Sequence, residues 1–364
     1  MDFEFSADQE MLRDSVRRYL AEKAPLTWVR SVYGTDETVD TVWRGLAELG
    51  VVGLLAPEAH GGVGMGMTDA CVVLEELGRA VYPGPYVASA IGALSAIALA
   101  GSTDDQAALL PALAAGETIG TVAVYEPDRR YDITAPRVQV AGDRLTGTKV
   151  HVLDAPVADC FVVSADAGGE LALFVVERTS EGVTVEPHPS VDGSRPEGTL
   201  ILRDAPARRL AGASATDSLE RTIDRMTTAI TVDGVGAATR ALELAVEYAK
   251  ERQQFGAPIG SFQAVQHLCA DMLRATELAR AAAYYACWAD DGAEPFERHR
   301  AATLAKAYAS DELYKVGASA IQVFGGIGFT WEHDSHLYYK RLLTLQHALG
   351  GSSEHLAHLA DLVF

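Results

Sequence analysis

The chain has 364 residues, too many for one ordinary domain, so two or three are expected. Hydrophobic residues make up 48% and charged ones 22%, with glycine and proline dispersed, which excludes a disordered chain or a collagen-like repeat. The 50 acids against 30 bases leave a formal charge of -20, which argues against nucleic acid or an anionic membrane as partner.

Four widely separated cysteines (Cys71, Cys160, Cys269, Cys287) form neither a disulfide framework nor a zinc motif, as expected in a reducing cytoplasm. The acidic, amphipathic start is unlike a secretory signal. The uncharged stretch Val81–Thr103 opens on Pro83 and Pro85 and is Ala/Ser-rich. It falls short of the roughly 20 apolar residues a span needs, so it reads as a buried helix.

Three textures follow in chain order. Residues 1–116 are helix-rich: Ser6 and Gln9 have capping-box spacing, and Leu12, Val16, Tyr19 and Leu20 follow at helical intervals. A breaker-rich loop, Pro57–Gly64, separates two helical runs. Residues 117–210 change to short β-branched runs between turns, at Ile119–Val124, Arg137–Val140, Val150–Leu153, Cys160–Val163, Leu171–Val176, Val183–Glu186 and Thr199–Leu202. Many strands without intervening helices predict an antiparallel barrel or sandwich. Residues 211–364 return to long Ala-rich helices, the first with capping-box spacing at Asp217–Glu220 and an apolar stripe of Leu219, Ile223, Met226 and Ile230. The fold class is α+β: a small all-β domain between two helical ones.

Five constellations could carry chemistry. The loop His60–Met67 is glycine-rich, but it follows no strand and lacks the Lys-Ser/Thr of a phosphate loop. A turn needing positive φ is the simpler reading. In Glu251–Gly256, Arg252 either complements a helix C-terminus or offers a fixed guanidinium to a phosphate with Phe255 beside it. The run Gln322–Phe329 has three glycines in four positions, Gly325, Gly326 and Gly328, more than a helix stop needs, and would let backbone approach a ligand. Asp233 lies on the apolar stripe of its helix, followed by Gly234 and Gly236, which clear space. It is either a general base or a carboxylate hydrogen-bonded to a neighbouring helix. The ten histidines show no convergent metal-ligand spacing, so no metal is expected.

These strings, in this order, resemble the acyl-CoA dehydrogenase family over essentially the whole chain. Its carriers are Leu49–Glu58 with Gly61–Gly64, Leu110–Glu117, Tyr248–Gly260 with Phe262 and Gln263, Cys269–Met272, and Gln322–Phe329. The resemblance implies an N-terminal helical domain, a middle β-barrel and a C-terminal four-helix bundle, assembled as a tetramer. It implies FAD, an acyl-CoA substrate and an electron-transfer flavoprotein as acceptor. It also implies that Arg252, Phe255, Gln263, Gln322, Gly325 and Gly326 serve a cofactor lying mainly in a neighbouring subunit.

Departures from the family pattern are concentrated on the flavin and on the base. The stretch usually reading Thr-Glu-Pro-Gly-x-Gly-Ser-Asp is Tyr125–Asp132 here, with Tyr for Thr and Asp and Arg for the glycines. The Lys-x-Trp-Ile-Thr segment becomes Lys149–Leu153, with His151 for the flavin-stacking aromatic. Where the catalytic glutamate would stand the chain has Gly350, and at the alternative position Met226. Asp233 is the remaining candidate base. Two expectations follow: a partner subunit lending FAD contacts to a homologous catalytic chain, or a self-sufficient homotetramer with an atypical flavin pocket. A non-enzymatic scaffold of the same fold is the third.

Overall fold

The computed structural model describes residues 5–33, 40–128 and 132–363. The stretch expected at the flavin, Tyr125–Asp132, is thus described except for Arg129, Arg130 and Tyr131, which lie outside the described residues. The chain begins with α1 (Ala7–Lys23), α2 (Leu26–Val32), α3 (Asp40–Glu48), α4 (Met67–Arg79), a π-helical segment (Val87–Ala93), α5 (Leu94–Ala100) and α6 (Thr103–Ala114). Eight strands follow: β1 (Gly120–Ala123), β2 (Gln139–Ala141), β3 (Arg144–Leu153), β4 (Cys160–Asp166), β5 (Leu171–Glu177), β6 (Val183–His188), β7 (Glu197–Pro206) and β8 (Arg208–Arg209). The chain then runs through α7 (Ala215–Glu251), the hairpin β9 (Gln253–Gln254) and β10 (Ala257–Pro258), and α8 (Gln263–Gly292). It ends with α9 (Pro295–Phe324), α10 (Ser335–His347) and α11 (Ser352–Val363).

Local signals account for several boundaries. Ser6 and Gln9 form the expected capping box at α1, each side chain bonding the other's backbone N–H. At α7 the cap lies three residues earlier than the spacing suggests: Ser214 Oγ accepts from Asp217 N at 3.3 Å. The Val81–Thr103 stretch is almost wholly buried, within the π-helical segment and α5. Among the described residues, no helix is long and apolar enough to cross a membrane.

The fold forms two compact units, one comprising Gly34–Ala70 and Pro83–Met226, the other Met1–Tyr33, Cys71–Tyr82 and Thr227–Phe364. The first contains the sheet, in the order β6-β7-β3-β2-β4-β5-β8, with β1 also on β4. Each of β1 to β7 overlaps one of the seven β-branched runs, with β3 beginning six residues before its run and β7 extending past its run at both ends. The expected antiparallel barrel or sandwich is corrected to a curled sheet, an open half-barrel. The two-residue β8 leaves only a short turn before α7, so no strand remains to join β8 to β6. Nor is the sheet purely antiparallel: β1 and β2 run parallel to β4 and share one of its edges, β1 along Cys160–Val163 and β2 at Asp166. Phe161, Val163, Phe174, Leu200 and Leu202 fill its core.

The helical unit is built around α9, against which α8, α10 and α11 pack. Helices α4 and α7 cross at two glycines. A Cβ on Gly236 would fall on the Glu75 carbonyl oxygen, and one on Gly78 on that of Asp233. A Cβ on Gly234 would meet Leu345 of α10. The space that Gly234 and Gly236 clear is therefore taken by neighbouring helices, not left for a ligand.

Candidate functional site

Asp233 sits inside α7 with 3% of its surface exposed. Arg341 of α10 donates from one guanidinium nitrogen to both its carboxylate oxygens at 2.9 Å, and from the other to the Tyr82 carbonyl at 2.9 Å. The acid is thus bound by a neighbouring helix, the second of the two readings its position allowed. A carboxylate held by a buried guanidinium has its negative charge compensated in place and both oxygens engaged.

Neither usual base position offers a carboxylate. Met226 is buried, with its sulfur packed near Gly92. Gly350 has a left-handed φ of 97°, and its carbonyl accepts from the buried Lys306 amine at 2.6 Å. The same amine donates to Ser310 Oγ and the Leu345 carbonyl, both at 2.8 Å. Lys306 was invisible to spacing arguments, because two of its three acceptors, the Leu345 and Gly350 carbonyls, lie on α10 and in the turn that follows it. Burial lowers its pKa to about 7 even with Glu354 and Asp311 nearby.

The cofactor candidates lie on the exterior of the helical unit. Arg252, directly after α7, is exposed, and among the described residues no hydrogen bond or ion pair engages its guanidinium. Phe255, in the β9–β10 turn, is 94% exposed at a φ of 54°, a strained setting for a bulky side chain. It meets only the edge of Phe262, at 6.1 Å between ring centroids. Gln263 starts α8 and Gln322 lies in the last turn of α9, both exposed. Gly325 caps α9 with φ 67°, and a Cβ at either Gly325 or Gly326 would meet nothing within 4 Å. These glycines leave the chain's backbone open to an outside ligand.

In the sheet unit the residues aligned with the flavin stretch are engaged internally. Glu126, in the loop after β1, is buried, and its carboxylate accepts from the backbone N–H groups of Arg137 (2.8 Å) and Val138 (3.1 Å). Lys149 of β3 donates to it at 2.6 Å, and also to Ser164 Oγ and the Val124 carbonyl. Desolvation lowers the Lys149 pKa to about 8, and Glu126 opposes that shift. Tyr125 is buried as well. The small hydroxyl that the family pattern places before the glutamate is replaced here by the buried Tyr125. Among the described residues, the sheet-unit positions thus hold a buried ion pair, and the helical set presents the exposed Arg252 guanidinium.

One grouping was missed altogether. His151, His188 and Glu197 offer ligand atoms within 4.8 Å of one another. Their spacing carries no motif; only the pairing of β3, β6 and β7 unites them.

With the geometry in hand, comparison with known proteins decides the family. Residues 6–117 match the acyl-CoA dehydrogenase N-terminal domain family, and residues 217–362 the C-terminal domain family. IpdE2, an acyl-CoA dehydrogenase of Mycobacterium tuberculosis, is 34% identical over 92% of this chain and 90% of its own length. The chain belongs to the acyl-CoA dehydrogenase family. Acyl-CoA dehydrogenases are FAD-dependent oxidoreductases acting on acyl-CoA thioesters. Another acyl-CoA dehydrogenase of the same organism, FadE34, is 35% identical over 99% of this chain, which spans 48% of that longer relative. A variant of the Tcur3481-Tcur3483 steroid ACAD superposes with a TM-score of 0.90 at 34% identity, covering 98% of this chain and 97% of that one.

Proposed function

We propose that this chain is the supporting subunit of a FAD-dependent acyl-CoA dehydrogenase, lending cofactor contacts to a homologous subunit that performs the chemistry. The carrying observation is the contrast between these two sets of residues. In the exposed helical set no hydrogen bond or ion pair engages the Arg252 guanidinium among the described residues, while Tyr125, Asp128 and His151 stand where the family pattern has a small hydroxyl, a glycine and the flavin-stacking aromatic. FAD, when bound, supplies the acceptor for hydride from the substrate Cβ. The chain's residues supply binding: Arg252 a charge-assisted bond to phosphate, Gly325 and Gly326 a close approach with no side chain in the way, Phe255 an apolar face, Gln263 and Gln322 polar contacts.

The α-proton falls to a carboxylate of the homologous subunit, because Gly350 and Met226 replace both usual glutamates and Asp233 is committed to Arg341. The substrate class is an acyl-CoA thioester, with a bulky steroid-derived chain favoured by the steroid ACAD relative. Electrons pass to an electron-transfer flavoprotein. A relative twice as long supports pairing, since FadE34 has room for a second dehydrogenase-sized segment.

A visible spectrum tests this. Purified alone, the chain should lack the flavin band near about 450 nm; co-expressed with an adjacent homologue, the complex should show it. Stoichiometric flavin on the chain alone would replace this reading with the self-sufficient homotetramer.

A further inference from the structure

We propose that His151, His188 and Glu197 form a site for one divalent transition-metal ion of the zinc class, at the point where the family places its flavin-stacking aromatic. His188 and Glu197 are directly paired across β6 and β7, so their side chains leave the same face of the sheet. His151 reaches that face through a β-bulge. The β3–β7 register slips between Lys149 and Val152, and His151 takes a left-handed φ of 51°. A bulge re-aims a side chain, and a non-glycine residue adopts that conformation only when its surroundings hold it there.

The imidazole so aimed brings Nδ1 to 2.9 Å from Glu197 Oε2, and its ring lies edge-on to His188 with centroids 6.0 Å apart. His188 Nε2 meets Thr199 Oγ1 at 2.7 Å, from the same face of β7. All three ligand atoms lie within 4.8 Å of one another, where a tetrahedral zinc at bond lengths of about 2.1 Å needs separations of roughly 3.4 Å. Rotamer adjustment closes that gap.

Two imidazoles and one carboxylate are a ligand set suited to zinc and its neighbours, and they leave a fourth position for water or another small oxygen donor. The His151 side chain is 65% exposed, so an ion has a path in. Binding replaces the His151–Glu197 hydrogen bond and releases whatever proton the pair shares. The ion cross-links β3, β6 and β7, the strands at one open end of the half-barrel. This inference is independent of the supporting-subunit reading, because its test measures metal and not flavin.

The full chain, with its partner if it requires one, is stripped with chelator, titrated with zinc by calorimetry, and analysed for bound metal after dialysis. Cobalt substitution gives a visible d–d signature of the coordination geometry. One zinc per chain is expected. His151→Asn, which tolerates the left-handed backbone, and His188→Gln should each weaken binding by at least about 100-fold, the upper end of what losing even an outer partner costs a metal site. Far-UV circular dichroism checks that the variants fold. Absence of stoichiometric zinc, or unchanged affinity in folded His151→Asn, overturns the proposal. Flavin-loaded complex without zinc would overturn it and leave the supporting-subunit reading intact.

Discussion

A buried charge needs a partner, and this chain solves that need in different ways at Asp233, Lys149 and Lys306. Asp233 and Arg341 neutralise each other, as do Glu126 and Lys149. Removing one member strands the other, so Asp233→Ala should cost about 3–5 kcal/mol of stability, read from urea denaturation. Asp233→Asn keeps an acceptor oxygen and should leave turnover of the flavin-loaded complex unaltered. A fall of about 10²-fold in a folded Asp233→Asn complex would instead make Asp233 the base. Lys306 is bonded to a hydroxyl and two carbonyls, and burial takes it from 10.5 down to about 7. The unfolded chain therefore binds that proton more tightly, and stability rises with pH from about 7 toward 10.5. Lys149, at about 8, slopes the same way. Urea midpoints between pH 7 and 9 should climb, and Lys306→Met should flatten the climb; an unchanged slope would assign it to other groups.

At the scale of elements, close approach decides more than propensity does. Glycine is a weak helix former, yet Gly78 and Gly236 sit inside α4 and α7 because each faces a carbonyl of the other helix. Gly236→Ala would improve helix propensity and still destabilise the protein by about 1–3 kcal/mol, since its Cβ must push the helices apart. A neutral or stabilising Gly236→Ala in thermal melts would mean the crossing relaxes freely. In the sheet, the bulge at His151 has the opposite logic: a local irregularity of β3 carries an imidazole to strands it would otherwise not reach. Periodicity within β3 cannot disclose this, because the slip is defined only against β7.

For the whole molecule, a charge of -20 opposes the anionic FAD and coenzyme A thioesters that the family uses. Locality resolves it. Fields of exposed charges are screened beyond about 10 Å, so the local guanidinium of Arg252, unengaged among the described residues, sets the potential a phosphate meets there. Arg252→Glu should therefore leave the chain folded while lowering the flavin content of the co-expressed complex, the same spectrum serving as readout. The assembly proposed above would also give a use to the exposed Phe255, Phe329 and Trp331.

Sequence by itself determined the local grammar: the Ser6 cap, the seven strand runs, the glycine stop after Phe324 and the family strings that carry the resemblance. Each is written in neighbouring residues, where spacing and turn chemistry act directly. Tertiary structure alone decided that the sheet stays open, that Gly234 and Gly236 admit helices and no ligand, that Asp233 answers to Arg341, and that His151 meets His188 and Glu197. Those outcomes depend on partners distant in the chain. Burial, register and charge compensation are properties of the pair, and no single segment contains them.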